Sequence, residues 1–225
     1  MQRTFFIGDV HGCYDELLEL CEKIGLQDED HLYFTGDIIN KGPKSREVVE
    51  FVRNRPNTWS VIGNHEYFAF ADAVDVDAML HLESGHKTWI KNSLPKFSDL
   101  QIELAEHREW ILSLPKIIET DDFILVHGGF HPDHGIDTPI EIATLIRLHE
   151  EKPWYDFYTG TKKIIYGHWA VDGLRIRKNT IGLDSGCVFG GHLTAYCLES
   201  EEYWQVHAHH IYKIPADWKG KIGYV

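Results

Sequence analysis

The sequence predicts a layered α/β protein, a four-layer α-β-β-α sandwich with mixed sheets, and three observations carry that reading. The first third alternates short apolar runs with amphipathic helical stretches at a repeat of about 30 residues, the rhythm of right-handed β-α-β units with parallel strands. The last third strings together short strand patterns with no helix between them, which favours antiparallel hairpins. Helices outside both sheets accommodate the two rhythms better than one doubly wound sheet. The third observation is chemical: apolar runs repeatedly end in a glycine beside Asp, Asn or His, where α/β sheets open their ligand crevice.

In order along the chain, Phe5 to Ile7 is the first strand, and Leu17, Leu18, Cys21 and Ile24 then recur at helical spacing. Asp15 and Glu16 suit the start of that helix, where its dipole favours anions, and Gly25 ends it. Leu32 to Thr35 is the second strand; Ser45 to Asn54, with Val48, Val49 and Val52 on one face, is the second helix; Trp59 to Ile62 is the third strand. Glu66 to about Ser113 reads as helical, interrupted at Pro95, with Ala78 to Lys96 a candidate cap over the site. Strands return at Lys116 to Glu119 and Phe123 to Val126, a helix at Pro139 to Arg147, and strands again at Lys163 to Tyr166, Leu174 to Arg177, Thr180 to Leu183, His192 to Leu198 and Tyr203 to Ala208. Nothing suggests a linker or repeat, and one domain over residues 1–225 is expected.

Composition narrows the function. A net charge of −13 argues against a protein that grips nucleic acid polymers through clustered Lys and Arg. Phosphate-bearing substrates remain open, because bound metal ions supply positive charge that side chains lack. No apolar run approaches a membrane span, and Met1 leads at once into the first strand, so a cytoplasmic protein without a membrane partner is expected. Cys13, Cys21, Cys187 and Cys197 lack metal-finger spacing, and Cys13 and Cys21 read as packing thiols. Trp89, Trp154 and Tyr155 read as core, and His207, His209 and His210 as a strand face or surface.

Five strand ends share one grammar: Gly8-Asp9-Val10-His11-Gly12, Gly36-Asp37, Gly63-Asn64-His65-Glu66, His127-Gly128-Gly129 and Gly167-His168. Asp9 and His11 alternate around Val10, so in an extended segment both face one way and can grip one ion. Asp37 has two carboxylate oxygens with which to touch two ions. The second ion would then see Asp37, Asn64, His127 and His168. This oxygen and nitrogen set, free of thiolate, suits two divalent ions, manganese first, with iron or zinc as the other candidates. Such a pair generates a hydroxide between its ions at neutral pH and clamps a phosphoryl group for in-line attack. His65 should face the other way and act as general acid toward the leaving group.

Together these motifs resemble the three-part signature and the two later histidine motifs of calcineurin-like metallophosphoesterases, specifically the phosphoprotein phosphatase family with its bacterial and phage members. Gly182 to Thr194 is similar to the late hairpin of the small bacterial phosphatases and of the symmetrical dinucleoside tetraphosphatases. The resemblance implies Asp9, His11, Asp37, Asn64, His127 and His168 as ligands and His65 as proton donor. It also implies a phosphate-binding role for Arg147, beside Lys41 and Asn64.

Two residues depart from the family's Asp-Arg-Gly, for this chain has Asn40-Lys41-Gly42. Lys41 keeps the charge and loses the planar fork that pairs two phosphate oxygens. Asn40 can hydrogen-bond His65 but cannot stabilise its imidazolium, so the His65 pKa should be less elevated than beside Asp. The resulting expectation is a phosphomonoesterase of the protein Ser/Thr phosphatase type, acting on a phosphoprotein or a small phosphate ester. The alternative is a bis(5'-nucleosyl)-tetraphosphatase-like hydrolase of dinucleoside polyphosphates, favoured by Gly167-His168-Trp169-Ala170, the late hairpin and the absence of Asp at position 40.

Overall fold

The β-α-β-α-β opening forms as its hydrophobic periodicity dictates. In the computed structural model, which describes residues 2–71, 97–145, 148–149, 152–170 and 173–214, β1 (Thr4–Ile7) pairs parallel with β2 (His31–Phe34), and β2 with β3 (Thr58–Ser60). The crossovers are α1 (Tyr14–Lys23) and α2 (Ser45–Asn54). α2 buries Val48, Val49 and Val52 and turns its charged face outward. α3 (Asn64–Phe70) starts within the third motif, with Gly63 as its N-cap and Asn64, His65 and Glu66 in its first turn. α4 (Ser98–Glu103) and α5 (Arg108–Leu112) complete the helical stretch. The expected interruption at Pro95, the candidate cap and Trp89 lie outside the described residues.

The second sheet begins with the hairpin of β4 (Ile117–Glu119) and β5 (Phe123–Val126). The helix expected over Pro139 to Arg147 is the four-residue α6 (Ile140–Ala143), with Pro139 as its N-cap; Arg147 lies outside the described residues. A two-residue pair, β6 (Leu148–His149) and β7 (Lys152–Pro153), precedes β8 (Lys163–Tyr166), β9 (Arg175–Ile176) and β10 (Thr180–Gly182). The last strands, β11 (His192–Cys197) and β12 (Tyr203–His207), form an antiparallel hairpin in the first sheet, against β1. Sheet orders are β12-β11-β1-β2-β3 and β4-β5-β8-β10-β9.

One expectation about pairing needs correction. The late strands are not all antiparallel: β10 lies parallel to β8, because the two-residue β9 folds back as a hairpin on the outer edge and returns the chain in the direction of β8. The second sheet therefore has its own parallel centre, β5-β8-β10, and two sets of parallel strand ends can face one crevice.

The period-2 pleat sorts the core into layers. Phe6 and Tyr33 from one sheet meet Phe123, Leu125, Ile165 and Ile181 from the other, with Phe6 and Phe123 edge to face at 4.8 Å between ring centres. Phe5, Ile7, Leu32 and Phe34 point outward onto α1 and α2. On the far side, Ile124, Val126, Ile164 and Tyr166 pack under Trp154, Tyr155 and Trp169, so the two described aromatics expected in the core are there. The full burial of Phe6 contributes about 2–3 kcal/mol. Among the described residues no helix is long and apolar enough to cross a membrane.

Candidate metal centre

The five motifs converge at the carboxyl ends of the parallel strands of both sheets. The His11 N–H donates to Asp37 O (2.8 Å), and Gly42 N–H donates to His11 O (2.8 Å), tying the first two loops together. His127, from the second sheet, donates its Nδ1–H to Thr35 O of the first (2.8 Å), and His168 N–H donates to Asp9 Oδ2 (3.0 Å). Gly63 and Gly167 are glycines because a carboxylate sits against each α-carbon. A β-carbon on Gly63 would lie 2.2 Å from Asp37 Oδ1, and one on Gly167 2.0 Å from Asp9 Oδ1.

Asp37 Oδ2 lies at the middle. His11 Nε2 and His127 Nε2 are each 3.5 Å from it, and His65 Nε2 is 3.9 Å away. Oδ1 is committed to the backbone N–H of His65 (2.9 Å), so the oxygen facing both histidine sets is one and the same, rather than one oxygen per ion. Asn64 Oδ1 sits between His127 Nε2 (3.0 Å) and His168 Nδ1 (2.9 Å). Two donor groups result, His11–Asp37–His65 and Asp37–His127–His168, each with its ligand atoms within 4.8 Å of one another. Buried imidazoles and a shared carboxylate in this arrangement fit a pair of divalent ions. The ring orientations agree: His11 donates Nδ1–H to Ile39 O (3.0 Å) and His127 donates to Thr35 O, which leaves Nε2 of both rings facing the centre.

Asp9 and His11 reach the centre differently from the expected alternation. The segment is not extended, since His11 has φ +48°. Asp9 takes hydrogen bonds on both oxygens, from Thr35 Oγ1 (2.9 Å) and His168 N, and stands outside the two donor groups, though each carboxylate oxygen has capacity for a second partner. His65, expected to face away from the ligands, instead joins His11 and Asp37. Arg147 cannot be placed among the described residues.

Among the described residues, five of the seven non-glycine residues with positive φ, His11, Asp37, Asn40, Lys41 and His168, belong to these loops. Backbone strain of about 1–3 kcal/mol per residue is thus concentrated in one place, as at sites where geometry serves chemistry. Asn40 Oδ1 accepts the Lys41 N–H (2.7 Å), leaving its amide nitrogen to donate to His65 Nδ1 (2.7 Å). That contact selects the neutral His65 tautomer with its proton on Nε2.

Two further residues belong to the site although sequence reasoning gave them no role. Glu66 is fully buried and accepts three backbone N–H groups, from Asp37 and Gly63 on Oε2 (2.9 Å each) and from Ile39 on Oε1 (3.1 Å), so it fixes the loop that carries Asp37. Asp184, buried just beyond β10, accepts Gly186 N–H (3.1 Å), and its charge is felt at Asp9. Its signal was present in Ile181-Gly182-Leu183-Asp184, a sixth apolar run ending in a carboxylate.

Electrostatics follow from burying these groups together. Burial raises the Asp37 pKa, but His127 and His65 outweigh it and hold the carboxyl well below its ordinary range. His127 is lowered by burial yet lifted to about 10 by Asp37 and Asp9. Burial and the Lys41 charge push His11 down to about 3 and His65 well below its usual value, so His65 is neutral here. Burial and Asp184 raise Asp9, and burial and Asp37 raise Glu66 to about 7.

The chain has relatives among known proteins. A symmetrical bis(5'-nucleosyl)-tetraphosphatase of Dechloromonas aromatica is 28% identical over 265 residues, spanning 90% of this chain and 95% of its own. An asymmetrical bis(5'-nucleosyl)-tetraphosphatase, PrpE, of Halalkalibacterium halodurans is 30% identical over 230 residues, with 88% and 90% covered. A crystal structure described as that of a candidate diadenosine tetraphosphatase superposes with a TM-score of 0.76 at 26% identity, covering 92% of this chain and 94% of the other. The calcineurin-like phosphoesterase family model matches residues 2–210, and with both sheets and the clustered His and Asp side chains in place, the chain belongs to that family and is a hydrolase, a metallophosphoesterase.

Proposed function

We propose that this protein hydrolyses dinucleoside polyphosphates, which makes the alternative drawn from the sequence the leading reading. The observation that carries it is the extent of the likeness: the two tetraphosphatases above align over about nine-tenths of both chains. Asp37, Asn64, His127 and His168 would hold one divalent ion, and Asp9, His11 and Asp37 the other, with manganese the first candidate and iron or zinc next. Bound there, the ions supply Lewis acidity and a water that ionises near neutrality. Asn64 and Lys41, with Arg147 as the family resemblance suggests, orient the phosphate. His65 would point its Nε2–H at the departing oxygen as a hydrogen-bond donor, and Asn40 holds the ring in that tautomer.

The chemistry of the leaving group supports the same choice. A phosphoserine ester leaves as a strongly basic alkoxide, which needs a proton from an acidic donor. A polyphosphate anhydride leaves as a phosphate anion, stable without one. A neutral His65 beside a neutral Asn40 is a weak acid and suits the anhydride. The test is a panel of diadenosine tetraphosphate, a phosphoserine peptide and p-nitrophenyl phosphate, each with added Mn²⁺. Preference for the dinucleotide is expected, with ADP alone as product for symmetrical cleavage or AMP with ATP for asymmetrical cleavage. Preference for the phosphopeptide would return the protein-phosphatase reading to first place.

A further inference from the structure

We propose that Lys41 is a tethered cation that competes with a divalent ion for His11, so that metal uptake releases its ammonium toward the substrate phosphate; this rests on the metal-centre reading above. Lys41 Nζ donates to His11 Nε2 at 2.8 Å. That nitrogen is the ring's acceptor, because Nδ1–H is spent on Ile39 O, and it is also the one that faces Asp37 Oδ2 at 3.5 Å. A ligand nitrogen bonds a metal at about 2.0–2.1 Å through the lone pair that a hydrogen-bond donor would use. One lone pair cannot serve an ammonium and a divalent ion together, so the two cations exclude each other.

The backbone holds Lys41 to this position. Asn40 and Lys41 both have φ +71°, and the loop is pinned from both ends by Lys41 N–H on Asn40 Oδ1 and Gly42 N–H on His11 O. The root of the side chain therefore stays beside His11 whichever way its tip points. The Phe189 ring, with its centre 5.1 Å from Nζ, offers the ammonium a second contact. Lysine suits exchange better than arginine, being a compact point charge on a flexible stem rather than a broad planar fork. The departure from the family's Asp-Arg-Gly thereby acquires a physical role: the residue that contacts phosphate also sets metal affinity.

The experiment uses full-length protein stripped with chelator. Titrated with Mn²⁺ in a calorimeter, Lys41→Met is expected to bind an ion about tenfold more tightly than the wild type, having lost the competing charge. In the wild type, acetylation of Lys41 by acetic anhydride, followed by peptide mass spectrometry, should accelerate as Mn²⁺ fills the site. Unchanged or weaker affinity in Lys41→Met would overturn the proposal. So would tighter affinity with a Lys41 acetylation rate indifferent to Mn²⁺, since that describes repulsion at a distance and no exchange. A wild type that takes up no Mn²⁺ would instead overturn the metal-centre reading itself, and the two failures are distinct.

Discussion

Asn40→Asp tests whether the neutral pair at positions 40 and 65 sets the preference for the leaving group. The substitution places a carboxylate where an amide now donates to His65 Nδ1 at 2.7 Å. With charge centres about 5 Å apart and an effective dielectric near 20, the attraction to an imidazolium is about 3 kcal/mol, or about two pKa units. Asn40 is only partly buried and the Lys41 charge is nearby, so about one unit is the expected rise. His65 then moves back toward its ordinary range, a larger share of the enzyme carries the imidazolium, and more of the general-acid assistance, typically about 10²- to 10⁴-fold, becomes available to an alkoxide that needs it. The His65 ring proton followed by NMR in Zn²⁺-loaded protein gives the pKa, assigned against His65→Gln. Steady-state kinetics give kcat/KM for a phosphoserine peptide and for diadenosine tetraphosphate. The ratio should move toward the peptide by about tenfold. A raised His65 pKa with no movement of that ratio would refute the argument, because the proton would then be irrelevant to the choice of substrate.

Four other outcomes follow from the same geometry. Asp37→Asn should weaken uptake of both ions and His168→Ala of one only, since Asp37 Oδ2 faces both histidine sets and His168 belongs to one; calorimetric stoichiometry separates them. Chelation should abolish hydrolysis and lower the melting temperature, and an ion supplied at a hundred times its dissociation constant should restore about 2.7 kcal/mol of stability. Glu66→Gln keeps one acceptor oxygen where the carboxylate serves three backbone N–H groups, and should cost about 1–3 kcal/mol in denaturant unfolding together with loss of metal affinity. In stripped protein, Asp37 lies below its ordinary 3.8, so its contribution is complete above that pH and is lost as pH falls. His127 lies above its ordinary 6.5, so its contribution is complete below that value and is lost as pH rises through about 10. The stability difference between wild type and Asp37→Asn should therefore be greatest between about pH 4 and 6.5; a flat difference from pH 4 to 10 contradicts the pairing.

Which parts of this site were legible in the sequence depended on whether a side chain or a backbone conformation carried the information. Strand ends showed themselves because an apolar run must stop somewhere, and a glycine followed by Asp, Asn or His is a visible stop. The structure explains that glycine: at Gly63 and Gly167 a carboxylate oxygen occupies the space of a β-carbon. Asp184 escaped because its glycine, Gly182, lies inside β10 instead of after it, pressed against the Tyr166 ring, so the sixth run looked like a hairpin strand. Glu66 escaped for another reason. It holds the Asp37 loop through main-chain N–H groups, and those are the same at every position, so no residue type marks the partner.

The alternation argument for Asp9 and His11 shows the limit most clearly. It joined two residues of the right chemistry by assuming an extended backbone, whereas His11 enters the site through a left-handed turn held by Asp37 O. Side-chain chemistry was readable there and the route was not, because the turn is imposed by a hydrogen bond to a loop 26 residues away. The same holds for Lys41, whose left-handed φ no propensity rule would assign to lysine. Where chemistry-bearing residues depart from their local conformational preference, the surrounding fold is supplying the difference. In this molecule those departures gather on the loops around Asp37 and include His11 and His168 as well as Asn40 and Lys41; Asn40 and Lys41 are the two among them that also differ from the Asp-Arg-Gly pattern, which is why the predictions on this protein's own preferences rest on them.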